Sequence, residues 1–107
     1  MFPPCNDVGE VIAVRELSFI SKAGSQDELT VSIGKPQPFP DSESYFCPFQ
    51  ISGVGEERIK YAAGIDAVQA LQLVMAMIGA DLKFLANELG GVVSWEGSDQ
   101  GELGFPG

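Results

Sequence analysis

The chain has 107 residues, 45% of them apolar, and a formal net charge of −9 from 15 acidic and six basic side chains. This length and composition predict one folded domain with a single hydrophobic core, and they exclude a disordered chain. The acidic balance, without any basic stripe, argues against binding to nucleic-acid phosphates, which needs clustered cations.

The N-terminus and the two cysteines predict a reduced protein of the cytoplasm. Residues 1–8 show no basic region followed by an apolar run, so no signal peptide is expected, and the segment is predicted to be flexible. Cys5 and Cys47 lack CxxC spacing, and we expect two reduced thiols. A disulfide between them is the alternative that the sequence leaves open.

Alternating hydrophobicity predicts a first strand over residues 10–20, with an arginine on its apolar face. The period of two that aligns Val11, Ala13, Leu17 and Phe19 also includes Arg15. A buried arginine needs a carboxylate, and the sequence predicts a buried polar pair of Arg15 with Asp66, with Glu16 as a second candidate. A small anionic ligand at Arg15 is one alternative, and a bulge near Arg15 that leaves it in solvent is another.

Three further strands complete a predicted four-stranded, mostly antiparallel meander. Pro48 in the strand over residues 45–53 predicts an edge position or a bulge, because proline cannot donate to a ladder. In the proline-rich link before it, Phe39 either folds back on the core or forms an exposed contact. The predicted inward residues are Leu29, Val31 and Ile33 in 28–34, Tyr45, Cys47, Phe49 and Ile51 in 45–53, and Ile59 and Tyr61 in 58–63.

One long amphipathic helix is predicted over residues 66–89. Asp66 is a suitable N-cap with Gln69 three residues later, and Gly90 with Gly91 suits a left-handed C-cap. We therefore expect an α+β fold in which this helix, about 35 Å long, packs across one sheet face. A C-terminal tail, residues 92–107, follows. The longest uncharged stretch of the helix, Ala67 to Ala80, is shorter than the roughly 20 apolar residues that a bilayer requires, so no membrane contact is expected.

The predicted helix carries two apolar stripes, which one sheet cannot easily cover. The larger stripe is expected to face the sheet, and the second lies about 140° away at 100° per residue. The second stripe predicts a homodimer seam, a surface covered by the C-terminal tail, or a groove for another protein. The larger stripe is Val68, Leu71, Met75, Ile78, Leu82, Leu85 and Leu89, and the second is Leu73, Met77, Ala80 and Phe84.

The sequence lacks the histidine that the commonest catalytic and metal sites use, and carboxylates are the remaining catalytic candidates. The chain has no histidine, which excludes Ser-His and Cys-His nucleophile activation and nearly all zinc sites. No phosphate-binding loop occurs. The paired acidic residues Asp27–Glu28, Asp41 with Glu43, and Glu56–Glu57 fall in predicted turns, and Glu96, Asp99 and Glu102 lie in the glycine-rich tail. We therefore expect no catalytic residue, no metal and no cofactor.

Four segments resemble a family of small, uncharacterised bacterial single-domain proteins. They are REL at Arg15–Leu17, CPFQISG at Cys47–Gly53, GIDAVQALQL at Gly64–Leu73 and LGFP at Leu103–Pro106. The resemblance implies a bacterial, cytosolic α+β domain and supplies no established activity.

These features predict a non-enzymatic protein-interaction module that is homodimeric through the helix, with Leu73, Met77, Ala80 and Phe84 in the contact. An acidic inhibitor or immunity-type partner of a basic protein is the first alternative, since net charge steers association. The second alternative is a small-ligand-binding domain, with a pocket between the proline-rich link and the sheet near Arg15, Tyr45 and Tyr61.

Overall fold

The computed structural model describes residues 7–55, 57–95 and 103–105. These residues contain six strands and one helix. The fold is α+β, with the helix packed against one face of an antiparallel sheet. The elements are β1 (Val11–Ser21), β2 (Gln26–Gly34), β3 (Gln37–Pro38), β4 (Tyr45–Ser52), β5 (Ile59–Gly64), α1 (Ala67–Leu89) and β6 (Gly91–Ser94).

The strands lie in the order β5-β4-β2-β1-β6, with β3 pairing to β4 beyond the end of β2. The predicted α+β class is confirmed, but the predicted number of four strands is wrong, because two short strands join the meander. β3 forms within the proline-rich link. β6 forms where the chain leaves the helix, since Val92 and Val93 are β-branched and pair with the end of β1.

The helix-facing side of β1 includes Arg15, as the alternation predicts. Pairing with β2 is continuous from Ala13 to Ile20, so no bulge occurs at Arg15. The irregularity lies between Val11 and Ala13 instead, and both of these side chains are exposed. The prediction that they point inward is wrong, and the buried part of this face begins at Leu17.

Pro48 lies inside the sheet rather than at its edge. On one side, β4 pairs with β2 as far as Phe49 and with β3 from Phe46, so Pro48 falls in the interval between these two partners. Proline has no N–H to donate, so at such a gap between two partner strands it removes no hydrogen bond from the ladder. The prediction of an edge strand is therefore wrong, although its physical reason holds.

The phase predicted for β5 is wrong. Ala62 is buried in the core and Lys60 contacts the helix, so Ile59 and Tyr61 lie on the opposite face. Tyr61 is half-buried there, with Phe39 folded against it at a ring-centroid distance of 6.2 Å. The alternation predicts the wrong inward face because the helix-facing positions of β5 are small or charged, whereas its larger apolar side chains form a separate cluster on the other face.

The helix begins closely against the end of β5. A Cβ at Gly64 would lie 2.6 Å from the backbone nitrogen of Ala70, so glycine permits this approach. The buried stripe is consequently centred on small and medium-sized side chains, and the predicted stripe is rotated from it, with Val68, Met75 and Leu89 exposed. The fully buried helix residues are Ala70, Val74, Ile78 and Leu82.

Both predicted helix caps are confirmed. The Asp66 carboxylate accepts a 2.8 Å hydrogen bond from the backbone of Gln69, whose own side chain accepts one from the backbone of Ile65. At the other end, Gly90 adopts the left-handed conformation with φ 67°, which favours glycine.

Replacing the N-cap should destabilise the helix measurably. We expect Asp66→Ala to lower the free energy of unfolding by about 1 kcal/mol, because the backbone N–H of Gln69 loses its acceptor. Asp66→Asn retains an acceptor and should remain close to the wild type. Urea unfolding followed by circular dichroism measures both, and equal losses in the two variants would contradict the assignment.

Cys47 should make stability depend on alkaline pH. Burial raises the pKa of its thiol from 9.0 to about 11. The folded state therefore holds this proton more tightly than the unfolded chain does. The resulting stabilisation is complete below pH 9 and is lost as the pH rises towards 11, at up to about 1.4 kcal/mol per pH unit.

Urea unfolding of the wild type and of Cys47→Ala, between about pH 8 and pH 10.5, measures this contribution. The wild type should lose more stability than the variant over that range, and the variant corrects for other groups that titrate there. The same pH dependence in both proteins would contradict the assignment.

Candidate interaction surface

An exposed apolar flank of α1 lies next to the side of the helix where Asp81 pairs with Lys60 of the edge strand β5. Among the described residues, β5 pairs only with β4, so its outer edge has no strand partner. Phe84 is 66% exposed and Leu73 is 45% exposed, although both are large and apolar. The β5 flank, as we name it here, consists of Leu73, Met77, Ala80 and Phe84.

The remaining two members of the β5 flank are placed differently. Met77 is half-buried and contacts the core, whereas Ala80 is exposed. The structure thus brings the four predicted residues onto one side of the helix, with large side chains at its ends and Ala80 near its middle. Such a surface costs free energy when it is left in water.

An ion pair joins the helix to β5 beneath the β5 flank. Lys60 Nζ lies 2.8 Å from Asp81 Oδ2, with the two side chains 48% and 25% exposed. Because Asp81 lies over β5, this contact also fixes which flank of the helix lies beside the edge strand. The sequence analysis missed this pair, because it placed Lys60 on the other face of β5.

A groove of about 450 Å³ opens between the C-terminal half of α1 and the hairpin that joins β4 to β5. Its floor is apolar and includes Phe49, Ile51 and Leu85. Arg58 and Lys60 line it from the strand side, and Asp81 and Glu88 from the helix side. The groove therefore combines an apolar floor with balanced charges at its rim.

Arg15 has partners other than the predicted Asp66. Its guanidinium carbon lies 4.0 Å from the ring centroid of Trp95 and 4.8 Å from that of Phe105. Its Nη1 donates a 2.9 Å hydrogen bond to the backbone carbonyl of Leu103. A guanidinium over two aromatic rings is a favourable cation–π arrangement, and its N–H groups remain available for hydrogen bonds.

The predicted buried pair of Arg15 and Asp66 is not formed within the described part of the chain. Asp66 is exposed at the start of α1, where its carboxylate caps the helix. Arg15 is half-buried and holds the C-terminal segment against β1. The prediction looked for a carboxylate and overlooked that aromatic faces and a carbonyl also satisfy a guanidinium.

The described tail residues lie away from the β5 flank. Leu103 is buried in the core, and Phe105 contacts Arg15 of β1. Because β1 and its neighbour β6 lie at the opposite side of the sheet from β5, this segment does not cover Phe84. The rest of the predicted tail, residues 96–102 and 106–107, falls outside the described residues.

The helix also meets a length-and-composition criterion for crossing a membrane. An 18-residue window within Ala67–Leu89 has a mean hydropathy of 1.4, with 28% of the window buried. Core helices of folded domains meet the same criterion, and α1 contributes four fully buried residues to the core. Asp81, Lys83 and Glu88 in its second half would be costly in a bilayer, which argues against a membrane span. The absence of membrane contact stays a prediction.

Comparison with protein-family models decides the family. A model described as a domain of unknown function, DUF6968, matches residues 13–107. The chain belongs to the DUF6968 family. The predicted membership of an uncharacterised single-domain family is thereby confirmed in this form, and the family description supplies no activity. Comparisons with curated proteins and with solved structures gave no match.

Groups of three or more potential metal-binding side chains are absent from residues 7–55, 57–95 and 103–105. In the same residues, Cys47 is a free thiol that donates a hydrogen bond to the carbonyl of Gly34. Cys5 lies outside the described part. The β5 flank with the adjoining strand edge is therefore the candidate interaction surface in this part of the chain.

Proposed function

We propose that this DUF6968 protein is a self-association module that forms a homodimer through the β5 flank and the outer edge of β5. The observation that carries the proposal is that the outer edge of β5, which has no strand partner in the described part of the chain, lies close to the exposed Leu73 and Phe84. Unpaired edges are ready templates for strand addition, and large exposed apolar side chains favour burial. The bacterial and cytoplasmic setting that the resemblance implies remains part of this proposal.

The size of this side of the molecule supports a stable contact. The 23-residue helix is about 35 Å long, and a helix layer on a sheet is about 20 Å high. The side of the domain therefore offers about 700 Å², which approaches the roughly 800 Å² per partner of a typical specific interface.

Charge also favours a second copy of this chain as the partner. The molecule as a whole carries −9, so two copies repel at most surfaces. Three of the six basic residues lie here, Lys83 on α1, Lys60 in β5 and Arg58 next to it, and the acidic Glu57, Asp81 and Glu88 lie on the same two elements or beside them. This nearly neutral surface suits self-association better than it suits a strongly basic partner, which the acidic-inhibitor alternative requires.

Molar mass in solution, measured by light scattering after size exclusion over a dilution series without detergent, tests the proposal. A mass near twice the 11.4 kDa of the chain is expected, with dissociation only at low concentration. A mass of one chain at every concentration would refute homodimerisation. Binding to a basic protein that weakens steeply with salt would then favour the inhibitor alternative.

Small-ligand binding is the second candidate function, favoured by the groove beside Leu85. Its volume of about 450 Å³ lies within the range of small-molecule sites, roughly 300–1,000 Å³. The groove differs from the predicted pocket, because Arg15 and Tyr61 lie on different faces of the sheet. A rise in melting temperature with one member of a metabolite panel, abolished by Leu85→Trp, would support this candidate.

A further inference from the structure

The four residues of the β5 flank have a self-complementary order along the helix. Met77 and Ala80 lie one residue outside the pair Ile78–Gly79, and Leu73 and Phe84 lie five residues outside it. In an antiparallel pair of helices related by a two-fold axis at this midpoint, Met77 meets Ala80 of the second copy. Leu73 then meets Phe84. The small side chain receives the long one, as close helix packing requires.

A residue of β5 lies level with the Ile78–Gly79 midpoint of the helix, so one two-fold axis can relate both the strand edges and the helices. Lys60 contacts Asp81 of α1, and Gly64 contacts the backbone at Gln69 and Ala70. Interpolation between these two contacts places the helix midpoint at the level of Tyr61. A two-fold axis through Tyr61 pairs Ile59 with Ala63, Lys60 with Ala62 and Arg58 with Gly64 of the second copy. No cation then faces its own copy, whereas an axis at Lys60 would place two lysines opposite each other.

The layer spacing is compatible with both contacts at once. In a continuous antiparallel sheet, β5 would lie about 2.4 Å from the axis and β4 about 7 Å from it. The helix contacts mainly β5 and β4 and also contacts β6, which starts at Gly91 directly after its C-terminal end, so near its midpoint its axis would lie about 5 Å from the two-fold axis. The two helices would then be about 10 Å apart, which is within the usual packing distance of neighbouring helices.

We propose that two copies join antiparallel through β5 into one continuous sheet, with the two α1 helices side by side and the two-fold axis passing Tyr61 and the Ile78–Gly79 midpoint. This arrangement rests on the proposed self-association and adds its partner geometry. It accounts for the exposure of Phe84 and Leu73 together, since each covers the other across the axis.

Disulfide trapping between differently tagged chains tests the arrangement, in a Cys5→Ser background that keeps the buried Cys47. One chain carries Ile59→Cys and the other carries Ala63→Cys. Directly opposed residues of antiparallel strands have Cα atoms about 5 Å apart, which is within disulfide reach. Mild oxidation of the mixture should therefore give a cross-linked heterodimer. Either variant alone should remain uncross-linked, because its two cysteines would lie about 13 Å apart.

A second pair of variants guards against misfolding of the first. Met77→Cys and Ala80→Cys, mixed in the same way, should cross-link through the helices. A dimeric mass without cross-linking in either mixture, or cross-linking of Ala63→Cys alone, would overturn this register and leave the proposed function standing. A monomeric mass of the background protein would overturn both.

Discussion

Replacing Phe84 by glutamate should convert the dimer into a monomer. The side chain is 66% exposed in one copy and would be covered by Leu73 of the other. Loss of a large aromatic contact at an interface costs about 2 kcal/mol or more, and a buried carboxylate without a partner adds to this cost. We therefore expect the dissociation constant of the dimer to rise at least about 30-fold, measured by light scattering or sedimentation over a dilution series.

Val68→Glu is the matched control for Phe84→Glu. Val68 is 64% exposed on the same helix, sixteen residues away and therefore about 160° around it. The substitution changes the net charge equally but leaves the β5 flank intact, so the dimer should persist. Dissociation by both variants would assign the effect to charge, and dissociation by neither would contradict the role of Phe84.

Stability measurements separate association from folding in Phe84→Glu. Because Phe84 is exposed in the single copy, its replacement should leave the helix content of the monomer unchanged. Loss of helix content together with loss of the dimer would show that Phe84 supports the fold instead, which would contradict its place in the contact.

The helix was the most predictable element because its signals are local. Asp66, Gln69 and Gly90 determine where the helix begins and ends through contacts within a few residues, and all three act as the capping rules predict. The rotation of the helix about its axis was not predictable in the same way. It depends on the close approach of Gly64 to Ala70, which is a contact between two elements.

The strands show the same division between local pattern and tertiary contact. In β2, large apolar residues alternate with polar ones, so Leu29, Val31 and Ile33 revealed the buried face. In β5, the buried face carries Lys60 and Ala62, while Tyr61 packs with Phe46 on the other side. Alternation identified the period correctly, but it could not say which of two moderately apolar faces the helix would cover.

The candidate site was predictable as a set of residues but not as a place. The spacing of Leu73, Met77, Ala80 and Phe84 along one helix identified them as a group. That the group lies beside an unpaired strand edge depends on the strand order, which places β5 at one edge of the sheet. The predicted meander already puts the strand 58–63 last in the sheet, but the rotation of the helix, which decides where this group points, depends on the contact of Gly64 with Ala70, for which the sequence contains no local signal.

Removing the side chain of Arg15 should destabilise the protein more than any other change outside the apolar core and the dimer contact. Arg15→Ala loses the stacking of the guanidinium on Trp95 and Phe105, and it loses the hydrogen bond to Leu103. A desolvated cation–π contact is worth about 2 kcal/mol, and a hydrogen bond to a charged group about 1.5–3 kcal/mol. Allowing for non-additivity, we expect the free energy of unfolding to fall by about 3 kcal/mol.

Trp95 reports directly on this contact, because it is the only tryptophan in the chain. In native buffer, Arg15→Ala should shift the Trp95 emission to longer wavelength, since the ring loses its cover and meets water. Lys22→Ala, at an exposed position in the turn after β1, is the matched control and should change neither the emission nor the unfolding midpoint. The mass of the folded dimer should remain the same in both variants, because Arg15 lies far from β5 in the sheet.

Two further variants separate stacking from charge. Arg15→Lys keeps the positive charge but loses the planar group, so it should recover less than half of the stability lost in Arg15→Ala. Gly104→Ala should disturb the same contact from the tail, because its φ of +77° favours glycine and a Cβ there would lie 2.8 Å from Trp95 Cζ3. Full stability in Arg15→Lys would show that charge alone holds the C-terminal segment. An unchanged emission in Arg15→Ala would show that Trp95 is held by other contacts.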